Sequence, residues 1–249
     1  PPIAKSDSTF LSSSDNSYLN TINIIGNPFS YPYKAELMDL LYSIPVKKNF
    51  YLTASTACRF IKEIQQIDLP NYELYIYYEQ EEASIHHILT EKQIPFHWIY
   101  LISSEKQYED LEKLETKYGN EYVEVHPIYT GDNLPFFEEN VYLAEEDILQ
   151  SNYDKQDIFA HQVMNTNFWG RLSVLPDGKV YSNLNHPPLG TLKDRVYDLI
   201  VDEMTSKRAW RWIRDEVSPC KDCLFRYLCP SPSNYELVIG KPNLCHVKP

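Results

Sequence analysis

Four of the chain's five cysteines fall in its last thirty residues, spaced Cys220-x2-Cys223-x5-Cys229-x15-Cys245. Thiolate sulfur is a soft donor. Four such donors around a C-x-x-C nucleus are the minimum set for one tetrahedral zinc or one iron–sulfur cluster. The two residues between Cys220 and Cys223 let both sulfurs turn toward one metal. Cys229 follows a turn or two later, and Cys245 closes the shell from a returning strand or loop. The competing reading is four unrelated buried thiols, since free cysteine packs as a small hydrophobe; the spacing argues against it. Thiolate count alone does not separate zinc from iron–sulfur.

Other reactive side chains form weaker patterns. His86-His87 falls in a helical stretch with its two rings facing different directions, which suits packing or surface positions better than metal binding. His161 and His186 stand alone, and His246, next to Cys245, is placed to donate a hydrogen bond near a metal or to be exposed. There is no G-x-S-x-G, no H-E-x-x-H and no Gly-rich phosphate loop, and seven glycines make a nucleotide cradle improbable. Asn165, Asn167, Asn183, Asn185 and Asn234 form an amide set whose plain reading is turn chemistry. Twenty tyrosines include Tyr72, Tyr75, Tyr77 and Tyr78 on one segment; strand packing explains them, and a peptide groove is the alternative.

The elements that must position these residues alternate. Thr21–Ile25, Asn49–Thr53, Tyr72–Tyr78, Phe96–Ile102 and Glu121–Tyr129 read as strands. Lys34–Ser43, Thr56–Ile67, Glu81–Lys92 and Glu105–Tyr118 read as the helices between them. This order predicts βαβ units and a parallel sheet, either doubly wound or part of an α/β barrel. Beyond about Glu145 the pattern changes. Gly170–Leu175 and Lys179–Asn183 flank Pro176-Asp177-Gly178 and predict a β-hairpin, followed by helices over Asp194–Thr205 and Lys207–Glu216. The expected organisation is a Ser/Pro-rich linker over residues 1–16, an α/β unit over 17–155 and a cysteine-bearing unit over 156–249.

Gly170-Arg-Leu-Ser-Val-Leu-Pro-Asp-Gly178-Lys-Val-Tyr, then Leu189-Gly190-Thr, Trp210 and Cys220-x2-Cys223-x5-Cys229, resembles the SPASM domain, the C-terminal auxiliary-cluster domain of radical SAM peptide-modifying enzymes. The resemblance implies an α/β fold: a partial (β/α) radical-SAM-like barrel with a C-terminal SPASM-like metal-binding domain. It implies that Cys220, Cys223, Cys229 and Cys245 ligate one 4Fe–4S cluster, structural zinc being the alternative. Two positions depart from the family. Ser233 stands where a cysteine of the second cluster belongs, and Tyr181-Ser182-Asn183 lacks the cysteine expected after the hairpin. One cluster is therefore retained and one lost, with Ser233-Asn234-Tyr235 expected to fill the vacated space. The segment after Thr21–Ile25, Gly26-Asn-Pro-Phe-Ser-Tyr-Pro-Tyr33, also lacks the C-x3-C-x2-C that binds the S-adenosylmethionine cluster, and Cys58 has no partner. The ending Cys229-Pro-Ser-Pro-Ser-Asn-Tyr-Glu236, with Asn243-Leu-Cys245, is similar to pseudo-radical-SAM/SPASM proteins of Bacteroidetes peptide-maturation systems.

That resemblance implies a non-catalytic partner or scaffold that assists a radical SAM maturase or binds its precursor peptide. The alternative is an electron-transfer subunit. A third reading, an enzyme using barrel-mouth carboxylates, finds no carboxylate pair at a meaningful spacing. A net charge of −12 argues against nucleic acid and anionic membranes as ligands. The acidic runs Glu79–Glu82, Glu105–Glu115 and Glu138–Asp147 read as solvated helix faces. No apolar run is long enough for a membrane span, and no basic-then-apolar leader is present. An odd cysteine count without a disulfide framework predicts a reducing, cytoplasmic setting. The Pro-Pro-Ile-Ala start predicts a fragment or a processed product, with any leader-recognition module upstream.

Overall fold

The computed structural model describes residues 18–79, 83–206 and 208–247; the predicted linker over 1–16 lies outside them. Five parallel strands, β1 (Thr21–Ile25), β2 (Lys47–Thr53), β3 (Tyr72–Tyr77), β4 (Phe96–Ile102) and β5 (Val123–Pro127), alternate with α1 (Lys34–Ser43), α2 (Ala54–Ile64), α3 (Ala83–Glu91) and α4 (Tyr108–Tyr118). The helical stretch Leu134–Asn140 (α5), Glu145–Gln150 (α6) and Lys155–Val163 (α7) follows. The chain then returns as β6 (Arg171–Val174), β7 (Lys179–Tyr181) and β8 (Gly190–Thr191). Helix α8 (Val196–Ser206) and the short α9 (Asn234–Ile239) complete the described helices.

The eight strands among the described residues join one sheet in the order β5-β4-β3-β2-β1-β6-β7-β8. β6 runs parallel to β1, and β7 and β8 extend it antiparallel. The protein is thus α/β with a mostly parallel sheet. The order steps one way from β1 to β5 with no reversal, so there is no doubly wound switch point among them. Right-handed crossovers then set α1 to α4 on a single face. That face is apolar: Ile22, Phe50, Leu74 and Trp98 pack under Leu41, Phe60, Leu89 and Leu114. The predicted boundary near 155 does not separate two sheets, because Thr21 to Ile24 of β1 register with Arg171 to Val174 of β6.

Strand alternation gives the opposite face a polar surface. Asn49 Nδ2 donates to Asn23 Oδ1 (3.2 Å), and Asn23 Nδ2 to Ser173 Oγ (3.4 Å). Tyr51, Tyr75 and His97 stack across neighbouring strands at 4.9 and 5.2 Å. Tyr72 and Tyr78 turn to the core side, so the four tyrosines of that segment divide between the two faces. Lys48 is fully buried on the core side, its Nζ donating to Val46 O (3.0 Å) and Pro70 O (3.2 Å). Burial holds its amine below the usual lysine value.

The hairpin forms as predicted. Gly178 takes φ +80°, its N–H donates to Leu175 O (2.9 Å), and Asp177 Oδ1 accepts from Lys179 N (3.1 Å). A Cβ at Gly178 would lie 2.6 Å from the Tyr33 ring, so glycine also admits that contact. The helix predicted over Lys207–Glu216 is not formed. Among its described residues only Arg214–Glu216 is helical, as a single 3-10 turn. The backbone there is held by distant side chains instead: Trp210 N donates to Glu203 Oε1 (2.8 Å), and Trp212 O accepts from Asn165 Nδ2 (2.9 Å).

Candidate metal centre

Cys220, Cys223, Cys229 and Cys245 line one pocket of about 430 Å³, counting the space at its mouth. Leu143 and Ile148 supply apolar walls, and Arg214 and Arg226 the cationic ones. The shell comes from two separated stretches docked on a third. Cys220 begins a 3-10 turn, and Cys223 N donates to Cys220 O (3.0 Å), which makes the compact C-x-x-C bend. Cys229 follows a tight loop in which its N–H reaches Phe225 O (3.0 Å). Cys245 arrives on an isolated parallel bridge with Leu143: Leu143 N donates to Leu244 O (3.1 Å) and His246 N to Leu143 O (3.0 Å). Lys241 pairs with Glu138 (3.1 Å), and the His246 ring lies against Tyr142 with Nε2 2.8 Å from Glu138 O. His246 therefore fastens the tail rather than serving the sulfurs.

All four thiols are free, and Cys58 is exposed on α2, apart from them. Burial pushes the Cys229 thiol up to about 11, opposed by the Arg214 charge. The Cys220 thiol is raised by burial and opposed by the same guanidinium. Each of these two also feels the neighbouring cysteines, which raise it further. Two N–H donors reach sulfur: Arg214 Nη1 at 3.8 Å from Cys220 and Asn243 Nδ2 at 3.1 Å from Cys245. Such donors stabilise thiolates and tune a bound metal.

The chemistry of the donor set bears on what the thiols fit. Among the described residues, no three His, Cys, Asp or Glu side chains converge closely enough to hold a single metal ion. A tetrahedral zinc with Zn–S bonds near 2.3 Å gathers its sulfurs within about 4 Å of one another. A polynuclear cluster binds each thiolate to a different iron and accepts a wider set. Four thiols on one pocket make a donor set suited to either group, and as placed they form no closed shell for a single ion.

Beside the pocket, the amide set converges into a buried lock. Asn165, fully buried, donates through Nδ2 to Trp212 O (2.9 Å) and Pro232 O (2.8 Å) and accepts from Asn167 N (2.9 Å). Asn167 Nδ2 reaches Ser231 O (3.0 Å), and Thr166 N donates to Ser231 Oγ (3.0 Å). Asn234 Oδ1 accepts from both Asn183 (2.7 Å) and Asn185 (2.9 Å). Ser233 caps α9, accepting from Tyr235 N (3.2 Å) while its hydroxyl and N–H bond Glu236. Ser182 Oγ donates to the buried Glu203 (2.6 Å). Turn chemistry is present, since Asn165 and Asn183 each accept an N–H two residues on. Their amide N–H groups nonetheless go to partners 47 to 67 residues away.

The segment after β1 is tied down by Asn27 and Tyr31. Asn27 caps a 3-10 turn over Pro28–Ser30 and bonds Glu63 Oε2 (2.9 Å). The buried Tyr31 hydroxyl donates to Ile25 O (2.5 Å) and lies 3.4 Å from Val174 O, across the ends of β1 and β6. His86 packs among Phe96, Tyr118 and Tyr122, and His161 bonds Tyr227 O (2.9 Å). Sequence reasoning missed Arg214 and Glu236, which pair at 2.7 Å in a buried position between pocket and lock. An isolated Arg and a Glu 22 residues on carry no pattern that marks them as a pair.

Among the described residues no helix is long and apolar enough to cross a membrane. Comparison with known proteins finds no family model, no curated protein and no solved structure that matches the chain.

Proposed function

We propose that this chain is a non-catalytic partner or scaffold in ribosomal peptide maturation, assisting a radical SAM maturase or binding its precursor peptide. Its four-cysteine centre would hold the C-terminal segment in shape. The observation that carries this reading is the pocket shared by Cys220, Cys223, Cys229 and Cys245. The end of β1, where the resemblance would place a thiol set, carries Tyr31 instead.

The partial-barrel reading has its own support. Asn234 bonds Asn183, just beyond β7, while its neighbour Tyr235 donates to Pro127 O at the end of β5 (2.9 Å). β5 and β7 stand six positions apart in the sheet. At about 4.8 Å per strand that is roughly 29 Å along a flat sheet. A sheet curled as in a partial barrel, with the C-terminal segment across its opening, would bring these ends together.

A 4Fe–4S cluster held by the four thiolates would cross-link the loop 220–229 to the tail docked on Leu143. Structural zinc is the alternative metal. A second reading, an electron-transfer subunit, is favoured by one observation: the cysteine loop is at the surface, with Leu224 93% exposed beside the half-buried Cys223. The test is co-purification with a radical SAM peptide maturase and its precursor, alongside anaerobic iron, sulfide and zinc quantification. Association with either protein and about four irons per chain, the content of one 4Fe–4S cluster, are expected. No association with either overturns the partner role, and about eight irons overturns the loss of the second cluster.

A further inference from the structure

Arg214 occupies a position that packing alone does not explain. It is 7% exposed, and each nitrogen of its guanidinium has a separate target. Nε donates to Pro230 O (3.0 Å), Nη2 to Glu236 Oε1 (2.7 Å) and Nη1 to Cys220 Sγ (3.8 Å). Glu236 in turn holds the Ser233 cap that begins α9. Arg226, the other guanidinium at the pocket, is engaged by Asp215 and by the carbonyls of Lys221 and Cys223, none of them sulfur. Arg214 is thus the buried cation that touches the cysteine shell on one side and the polar lock on the other.

We propose that Arg214 is a positioning residue for the metal centre. Its buried charge offsets that of the four thiolates and orients Cys220, and its bond to Glu236 ties occupancy of the centre to the lock around α9. This rests on the metal-centre reading above. Four thiolates around one centre leave an excess of negative charge in a partly dry pocket, and one charged N–H directed at a thiolate opposes it. Addition of an electron to the centre increases that negative charge, so loss of the cation disfavours reduction.

The experiment compares Arg214→Met, Arg214→Lys, Glu236→Gln and the Arg214→Met/Glu236→Gln double variant in the full chain, reconstituted anaerobically with iron and sulfide. Two quantities are read: the midpoint potential and the rate of metal release to a chelator. If Arg214 acts on the centre, Arg214→Met shifts the reduction equilibrium about tenfold toward the oxidised form, about 59 mV for one electron. It also releases metal about tenfold faster. Arg214→Lys returns the potential toward wild type. Glu236→Gln, which removes a negative charge, moves the potential the opposite way or not at all. The double variant lies about tenfold below Glu236→Gln alone, and it leaves no buried carboxylate unpaired, so the comparison survives if Arg214→Met does not fold. A purely structural ion pair predicts instead that Arg214→Met and Glu236→Gln change both readouts in the same direction and by similar amounts; that result overturns the proposal. Wild-type protein that takes up zinc only, with no visible absorption, refutes the cluster reading. The Arg214 proposal is then judged on zinc release, faster in the double variant than in Glu236→Gln, and unequal rates uphold it while equal rates reject it.

Discussion

Replacing Asn165 by Ala tests whether the lock holds the cysteine-bearing segment to the sheet. The side chain makes three hydrogen bonds from a fully buried site, to Trp212 O, Pro232 O and Asn167 N. At about 1 kcal/mol net for each, the loss is about 3 kcal/mol. Pro232 O keeps a longer bond from Asn167 Nδ2 (3.3 Å), which trims the loss slightly. The two groups left without a side-chain partner, Trp212 O and Asn167 N, add a desolvation cost unless water enters. For a chain of this length a loss of about 3 kcal/mol lowers Tm by roughly 6–12 °C. The assay is thermal and urea unfolding of chelated and metal-loaded protein, with Ser43→Ala as control. Ser43 donates only to Leu40 O on an exposed turn, and its loss is expected to change stability by about 0.5 kcal/mol or less. An Asn165→Ala loss below about 1 kcal/mol in both states would refute the argument that these amide bonds, rather than apolar packing or the metal, hold the segment.

Three further outcomes are expected. Cys229→Ser, which removes one of the four pocket sulfurs, drops bound metal to near zero per chain by elemental analysis, whereas Cys58→Ser on the exposed side of α2 leaves it unchanged. Gly170→Ala destabilises by about 1–3 kcal/mol in urea titrations, because Gly170 sits at φ +69° and a Cβ would lie 2.7 Å from Tyr18 O and 2.5 Å from Asn20 Nδ2. Glu73 is pushed up by burial, but its bonds with Lys47, His97 and Tyr75 outweigh this and hold it below the usual carboxylate value. Its contribution is therefore complete above the unfolded value of about 4.3 and is lost as pH falls through the lower folded value, so Glu73→Gln flattens the acid limb of stability against pH.

The strands were legible because a buried strand writes itself as a short apolar or aromatic run. Thr21–Ile25 and Phe96–Ile102 carry such runs and form over those bounds. The cysteine set could be picked out because three of its members are local and their spacing has few other uses, and the structure gathers all four at one pocket. Interactions set by long-range register were not. In Lys47-Lys48 the sequence does not say which lysine turns inward; pairing of β2 with β3 places Lys48 beside Asn71, within reach of Pro70 O. Lys207–Glu216 reads as a helix, yet Asn165 and Glu203 take backbone groups that a helix would use. The docking of Cys245 on Leu143 joins positions about a hundred residues apart and has no local signal.

These long-range contacts also explain why the centre and the sheet cannot be treated as separate modules. β6 binds the C-terminal half to β1, at one side of the parallel strands, while Tyr235 and the Leu143–Cys245 bridge bind it at the β5 side. The cysteine loop and the tail are anchored to different parts of that frame, the loop through Arg214, Glu236 and His161 and the tail through Glu138 and Leu143. A metal that joins Cys220, Cys223 and Cys229 to Cys245 closes a ring through the whole sheet rather than a local knuckle. Its removal should then loosen the span from β6 to β5 first, leaving the βαβ units of β1 to β4 on their own apolar core.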